Sequence, residues 1–550
     1  MQAGKERQTR GKGPHAACSR TRPRPGRTLL LAALFALPAP PLGAEQPISA
    51  IDWLSDSLAA PNPPGGVRPA PAAAVSPARP IHGAGTGRGA GGSALAEDIT
   101  VTPLDAPDPD ALGLLPPSVT GLPRDLWKNT PSHVLRRQIH ELPASNLPAI
   151  QGLVKTLLLA EADPPADSDR RGGLFLARID KLLEMGAIEE AQAMLALIEN
   201  PSPALFSRMF DVALLTGNET EICRRLRSRS DLAPSYGTRV FCLARNGDWP
   251  TAALTLGTAE ALGYISPGED ALLARFLDPD LFEGEPPLAR PRKVTPLLFR
   301  MHEAIGQHLT TASLPLAFAH ADLRSNMGWK ARLEAAERLA RAGALDPARL
   351  FAIYGEHKPA ASGGIWERAR AVQKLEAALA ARDADALAEA LPRTWKLIRA
   401  AGLEVPFARI HGEAIAAKPL TGPEADLARR IALLSPAYEK IARTKPPAGA
   451  EGAFLAAVAT GDLSDAEPAT PLERAIARGF SQAPLPPTES ALLATGQLGK
   501  LLLEIPALMR SGRAGDLDDL SRALLILRHV GLEDVARRAS LETLLLGQKG

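Results

Sequence analysis

At 550 residues the chain exceeds what one compact core can bury, so several folded units, or one elongated unit, are expected. Hydrophobic residues reach 45%, ample for burial, yet aromatics reach only 4% while alanine fills 97 positions, a composition that favours closely packed helices. The formal charge of +2 is local: Lys5, Arg7, Arg10, Lys12, Arg20, Arg22, Arg24 and Arg27 against Glu6 give residues 1–44 a net +7, which leaves −5 for residues 45–550 and excludes a nucleic-acid footprint.

The basic stretch leads into an apolar run at residues 28–37, then Pro38 and the small-residue site Leu42-Gly43-Ala44 before Glu45. That layout predicts a secretory signal peptide over residues 1–44 and a periplasmic mature protein. Ten apolar residues fall short of the roughly twenty that span a bilayer, so no transmembrane span is expected in the mature chain. No Arg-Arg pair precedes the run, which disfavours the twin-arginine route. Cys18 lies ahead of it, where it is not placed for acylation.

Residues 45–121 are dominated by Pro, Gly and Ala, as in Pro61-Asn62-Pro63-Pro64-Gly65-Gly66, and too few large apolar side chains are present to offset ordering entropy. A disordered linker is predicted. Within it Gly87-Arg88-Gly89-Ala90-Gly91-Gly92 matches a dinucleotide-binding fingerprint in letters, but no strand precedes it. Two islands stand out. Ile99-Thr100-Val101-Thr102 favours an extended strand, and Ile48, Ile51, Trp53, Leu54 and Leu58 could line one side of a short helix. Two readings of the Trp53 island stay open: it folds back onto the body of its own chain, or it is a docking peptide that seats in a partner's groove.

From Leu122 the pattern becomes helical, and residues 122–294 are read as a first helical array. Gly186, Gly217 and Gly247 end amphipathic stretches at intervals of 31 and 30 residues, the length of one helix-turn-helix pair. Phe175, Ile179, Leu182 and Leu183 form one apolar stripe; Ile188, Ala191, Leu195 and Ile198 form a second; Phe206, Met209, Phe210, Ala213 and Leu214 form a third. None can hide its apolar side alone, so the helices must stack. Cys223 and Cys242 fall on the second helix of one pair and the first of the next. They are either a bridge, contributing about 3 kcal/mol by the chain-entropy argument, or two buried thiols. Crowded prolines at 278–294 mark a break, and a second array is read over 295–550, interrupted at 358–364 and 445–452.

The stretch Gly247-Asp248-Trp249-Pro250-Thr251-Ala252 resembles the turn and second-helix entry of tetratricopeptide repeats: the glycine ends one helix left-handed, and the small alanine five residues on lets the next pack closely. Gly186 with Ala191, and Gly343 with Ala348, repeat the pair, and Pro203 stands where that family often ends a second helix. The period is 30–31 rather than 34, and Ile222 replaces the alanine after Gly217. The resemblance implies an all-α fold of helix-turn-helix repeats stacked as an α-solenoid behind the Pro/Gly/Ala-rich segment. The whole chain also resembles exported Ala/Pro-rich proteins of alphaproteobacteria, which implies no activity.

No metal or cofactor site is expected. His302 and His308 are six apart where a shared zinc on one helix face needs four, and His320 with Asp322 adds only a loose polar group. Glu489-Ser490 is similar to the catalytic pair of soluble lytic transglycosylases, periplasmic superhelices whose glutamic acid protonates a glycosidic oxygen. That family's downstream Gly-rich segment is missing here, and Glu489 reads better as a helix-start residue beside a capping Thr488. The sequence therefore points to an exported helical-repeat scaffold or adaptor that binds another cell-envelope protein or complex without catalysis of its own. A peptidoglycan-processing enzyme and a purely structural spacer are the alternatives.

Overall fold

The 51 prolines do not prevent a helical chain, because several sit at helix starts. Ser202-Pro203, Ser266-Pro267, Thr295-Pro296, Asp346-Pro347 and Thr470-Pro471 each put a side-chain oxygen on a first-turn N–H and a proline at the first helical position, where its missing N–H is not needed. Pro203 thus opens a helix instead of closing one. The computed structural model describes residues 107–547, and the regular structure among them is helical apart from one isolated bridge between Leu115 and Ala160.

The three expected glycine turns are present. Gly173–Glu184 pairs with Ile188–Ala196, Pro203–Thr216 with Glu219–Ser228, and Tyr236–Arg245 with Trp249–Ala261. Gly186, Gly217 and Gly247 sit in these turns at φ of 75°, 82° and 84°, a region that a side chain would disfavour. Ala191 and Ala252 are fully buried behind their turns, as close helix packing requires, whereas Ala348 is exposed and packs on nothing comparable. Cys223 and Cys242 are bonded to each other and buried, joining the helices Glu219–Ser228 and Tyr236–Arg245.

Apolar side chains gather into three cores. One, from Phe206 to Met301, encloses the disulfide; a second runs from Ala319 to Leu434; the largest combines residues 122–215 with residues 416–541. The break expected between 294 and 295 therefore falls inside the single unit that holds the described residues, whose main core draws on both sides of it. Helices Ser132–Glu141 and Pro148–Leu159 pack on Leu498–Arg513, and Pro148–Leu159 also packs on Glu533–Leu546, so the first and last helices cover each other's apolar faces. Asn146 Nδ2 donates to Pro506 O at 2.7 Å, and the backbone N–H of Ala149 donates to Glu542 Oε2 at 2.9 Å, across 360 and 393 positions of chain. A glycine is required at 499 because a Cβ there would stand 2.6 Å from the Trp127 ring and 2.4 Å from Leu126 O.

The folded body also begins earlier than expected. Residues 107–121, read from composition as part of the linker, carry the short helices Pro109–Ala111 and Pro117–Thr120. The physical reason is Arg178, which is fully buried and donates to Leu158 O, Leu112 O and Ala160 O at 2.7–2.8 Å. Asp110 Oδ1 in turn accepts the Phe175 N–H at 2.8 Å, serving the start of a helix whose own N-cap is Gly172. The remainder of the predicted linker, with the Trp53 island and the 99–102 strand, lies outside the described residues.

Candidate functional site

Helix Trp249–Ala261 holds a single charge, Glu260, so polarity alone does not decide which side faces water. Ala252, Leu256 and Ala259 turn inward and are buried. The opposite row, Ala253, Leu254, Gly257, Thr258, Ala261 and Leu262, follows helical spacing and is exposed throughout. Leu254 is 72% exposed, and Tyr264 and Leu281 are 61% and 71% exposed. Five of the eight large apolar side chains left exposed among the described residues fall between 249 and 281, a stretch in which helices Trp249–Ala261 and Pro267–Leu277 pack on each other.

The region is backed by a rigid aromatic layer. Phe276 lies 5.5 Å from Phe241 and 6.2 Å from Trp249 between ring centroids, and Tyr236 stacks on Tyr264 at 5.1 Å with ring planes 7° apart. Ala253, Gly257 and Ala261, four apart, form a low ridge that a second helix can approach closely, and a Cβ at Gly257 would meet nothing within 4 Å.

A cavity of 610 Å³ lies nearby in the chain, with no residue of Trp249–Ala261 in its lining. First turns of three helices line it, Tyr236–Arg245, Pro267–Leu277 and Pro296–Ala304, capped by Ser235, Ser266 and Thr295. Arg208, Asp211, Glu269, Lys293 and His302 are its titratable walls, and the Arg208 guanidinium, bonded to Asp180 at 2.5 Å, also acts on Asp211. Burial pushes the Asp211 carboxyl up to about 6 and raises Glu269, while burial lowers His302. His302 is 3% exposed and its Nδ1 has no hydrogen-bond partner. Gly237 makes room for Glu269, whose Oε1 would lie 2.3 Å from a Cβ at that position.

The other residues singled out from sequence are not brought together. His308 is exposed and His320, buried, donates Nε2–H to Gly186 O at 2.7 Å, while Asp322 accepts the Thr311 hydroxyl. Among the described residues no group of three or more His, Cys, Asp or Glu side chains is placed to hold a metal ion. Glu489 is not beside a cap: helix Pro487–Ala494 begins one residue before Thr488, with Pro486 at its N-cap. Its carboxylate is paired with Arg522 and the residue is 1% exposed, leaving no surface for a glycosidic oxygen to reach.

No protein-family model, curated protein or solved structure matches this chain. Among the described residues no helix is long and apolar enough to cross a membrane. The face and the cavity were both missed in the sequence. Asp211, Glu269 and His302 are spread over more than ninety positions with no motif to link them. The outward row of Trp249–Ala261, by contrast, had a local signal in its shortage of charge.

Proposed function

We propose that this protein is an exported, periplasmic helical-repeat adaptor that holds another envelope protein through the outer face of helix Trp249–Ala261. The observation that carries the reading is the uncovered apolar row with Leu254 at its centre, rimmed by Trp249, Leu262, Tyr264 and Leu281. Water-exposed leucines on a helix with one charge gain free energy when covered, and a rigid aromatic backing lets them bind without reordering. In this reading the glycine-turned pairs between 173 and 261 are tetratricopeptide-like repeats, and the helices beyond them continue the stack. The chain itself performs no reaction. The burial and pairing of Glu489 weigh against the peptidoglycan-processing alternative. A purely structural spacer would have no use for an uncovered apolar row.

Leu254→Glu together with Leu262→Glu tests the reading. Both side chains are exposed, so the free energy of unfolding measured in urea is expected to stay within about 0.5 kcal/mol of wild type. Chemical crosslinking in the intact envelope should then lose its partner adduct by at least about tenfold. An unchanged adduct would dismiss this face. Disappearance of a chain-to-chain adduct alone would identify the occupant as a second copy of this protein.

A further inference from the structure

Helix Trp329–Arg341 turns Lys330, Glu334, Arg338 and Arg341 to one side, at helical spacing. That side is one wall of a second cavity, of 630 Å³, whose other wall is the loop at 361–363 and the start of helix Gly364–Ala381, with Trp366 and Arg368. Four cationic side chains line it against two carboxylates, Glu334 and Glu337, a net of +2. Glu337 is buried; it takes Arg368 Nε at 2.7 Å and Nη2 at 2.5 Å and accepts the Tyr354 hydroxyl, so its charge is met within the wall. Glu334 meets only Lys330, at 3.6 Å with both side chains exposed.

The three guanidinium groups keep donors to spare. Arg368 is fixed by Glu337 with its side chain 14% exposed, yet its Nη1 has no partner among the described residues and stays open to solvent. Arg338 and Arg341 form no ion pair among the described residues. Arg338 donates to Thr311 O at 2.7 Å and to Leu314 O, and Arg341 gives only Nε, to Ala401 O at 2.7 Å, which leaves its Nη1 and Nη2 without a partner. Burial lowers the Arg338 pKa, and the like charge of Arg341 lowers it further against the pull of Asp322. Two like charges this close, with a third guanidinium on the second wall, are stabilised by an anion between them, and forks of N–H groups suit phosphate oxygens. The helix that opens on the second wall has eighteen residues and Gly363 at its N-cap, with no side-chain oxygen on its first N–H groups, so its dipole favours the same guest.

We propose that this cavity binds a phosphomonoester. Its phosphoryl oxygens are taken by Arg341 Nη1 and Nη2 and by Arg368 Nη1, with Arg338 and Lys330 adding charge. The carbon portion lies against Trp366, which is packed on Trp329 at 5.0 Å between ring centroids. The site shares no residue with the exposed row on Trp249–Ala261, so either can fail without the other.

Two titrations of the purified protein test this. In the first, by calorimetry, glycerol 3-phosphate should bind saturably, with dimethyl phosphate, which carries one charge, weaker by at least about tenfold and glycerol silent. In the second, phosphatidylcholine vesicles with and without phosphatidic acid are sedimented with the protein. Binding of glycerol 3-phosphate assigns the ester to a soluble molecule, and binding only to phosphatidic acid vesicles assigns it to a lipid. In whichever arm binds, Arg341→Gln should weaken the interaction by at least about tenfold with an unchanged helical circular-dichroism spectrum. Lys330→Gln, with an expected loss of about threefold, takes its place should the first variant fail to fold. Absence of binding in both arms, equal binding of dimethyl phosphate, or full affinity in a folded variant would overturn the proposal.

Discussion

Arg178→Met is expected to lower the free energy of unfolding by about 3–5 kcal/mol, seen as a shift in the urea midpoint with little change in slope. The guanidinium is fully buried, and burial lowers its pKa only to about 10, so it stays charged at neutral pH. It has no carboxylate bonded to it. Its donors go to the main-chain oxygens of Leu112, Leu158 and Ala160, with Asp110 O more distant at 3.5 Å. Methionine matches the stem but offers no N–H, so two buried carbonyls, of Leu158 and Ala160, and the half-buried one of Leu112 lose their partner at once, a buried one being worth about 1–3 kcal/mol when left unsatisfied. Those carbonyls belong to the 107–116 segment and to the end of Pro148–Leu159. The variant should therefore also become cleavable near residue 112 under limited proteolysis. A loss below about 1 kcal/mol would mean that this segment is held by something else.

The second large effect is a pH dependence centred on Glu542. This side chain comes from helix Glu533–Leu546 yet accepts the N–H of Ala149, second residue of Pro148–Leu159, whose N-cap Leu147 has no side-chain oxygen to offer. Burial pushes its carboxyl up to about 8 from the usual 4.5, against the pull of the Ala149 N–H, Arg538, Arg513 and Arg409. The folded state therefore keeps a proton that the unfolded chain gives up. Below about pH 4.5 both states are protonated and nothing is lost. From there to about pH 8 stability falls by roughly 1.4 kcal/mol per unit, on the order of 5 kcal/mol in all, and then levels off. Glu542→Gln keeps an oxygen for Ala149 but has no proton to lose. Urea unfolding at pH 5, 7 and 8.5 should show a shallower fall in this variant than in wild type, with the largest gain at pH 8.5. Parallel curves for the two proteins would remove Glu542 from the account.

What the sequence made legible was local. Apolar stripes at three-to-four spacing predicted helices, Gly186, Gly217 and Gly247 predicted left-handed turns between them, and two cysteines nineteen apart lay on facing helices. Each of these follows from residues within one or two turns of one another. Contacts across hundreds of positions carried no such signal. Nothing near Ala149 announces that its N–H is served by Glu542, and nothing in a Pro- and Ala-rich stretch announces that Leu112 O receives an arginine. Arg178, Glu489 and Glu542 are among the charged residues that the fold buries, and no pattern near them in the chain marks them as such. The Pro-crowded stretch 278–294 looked like a boundary because proline density reports a stop in helix, which a loop within one unit satisfies as well as a linker between two.

The docking face was half legible for the same reason. Helix Trp249–Ala261 shows its lack of charge in the sequence, but which of its apolar rows is covered depends on Phe241 and Phe276, fixed only by packing. The measurement that bears most directly on the account is photo-crosslinking in living cells from a photoreactive residue placed at 254, compared with one placed at exposed Glu389. The account predicts a discrete protein adduct from position 254 and none from position 389. Equal labelling from both positions, or no adduct from 254, would contradict it.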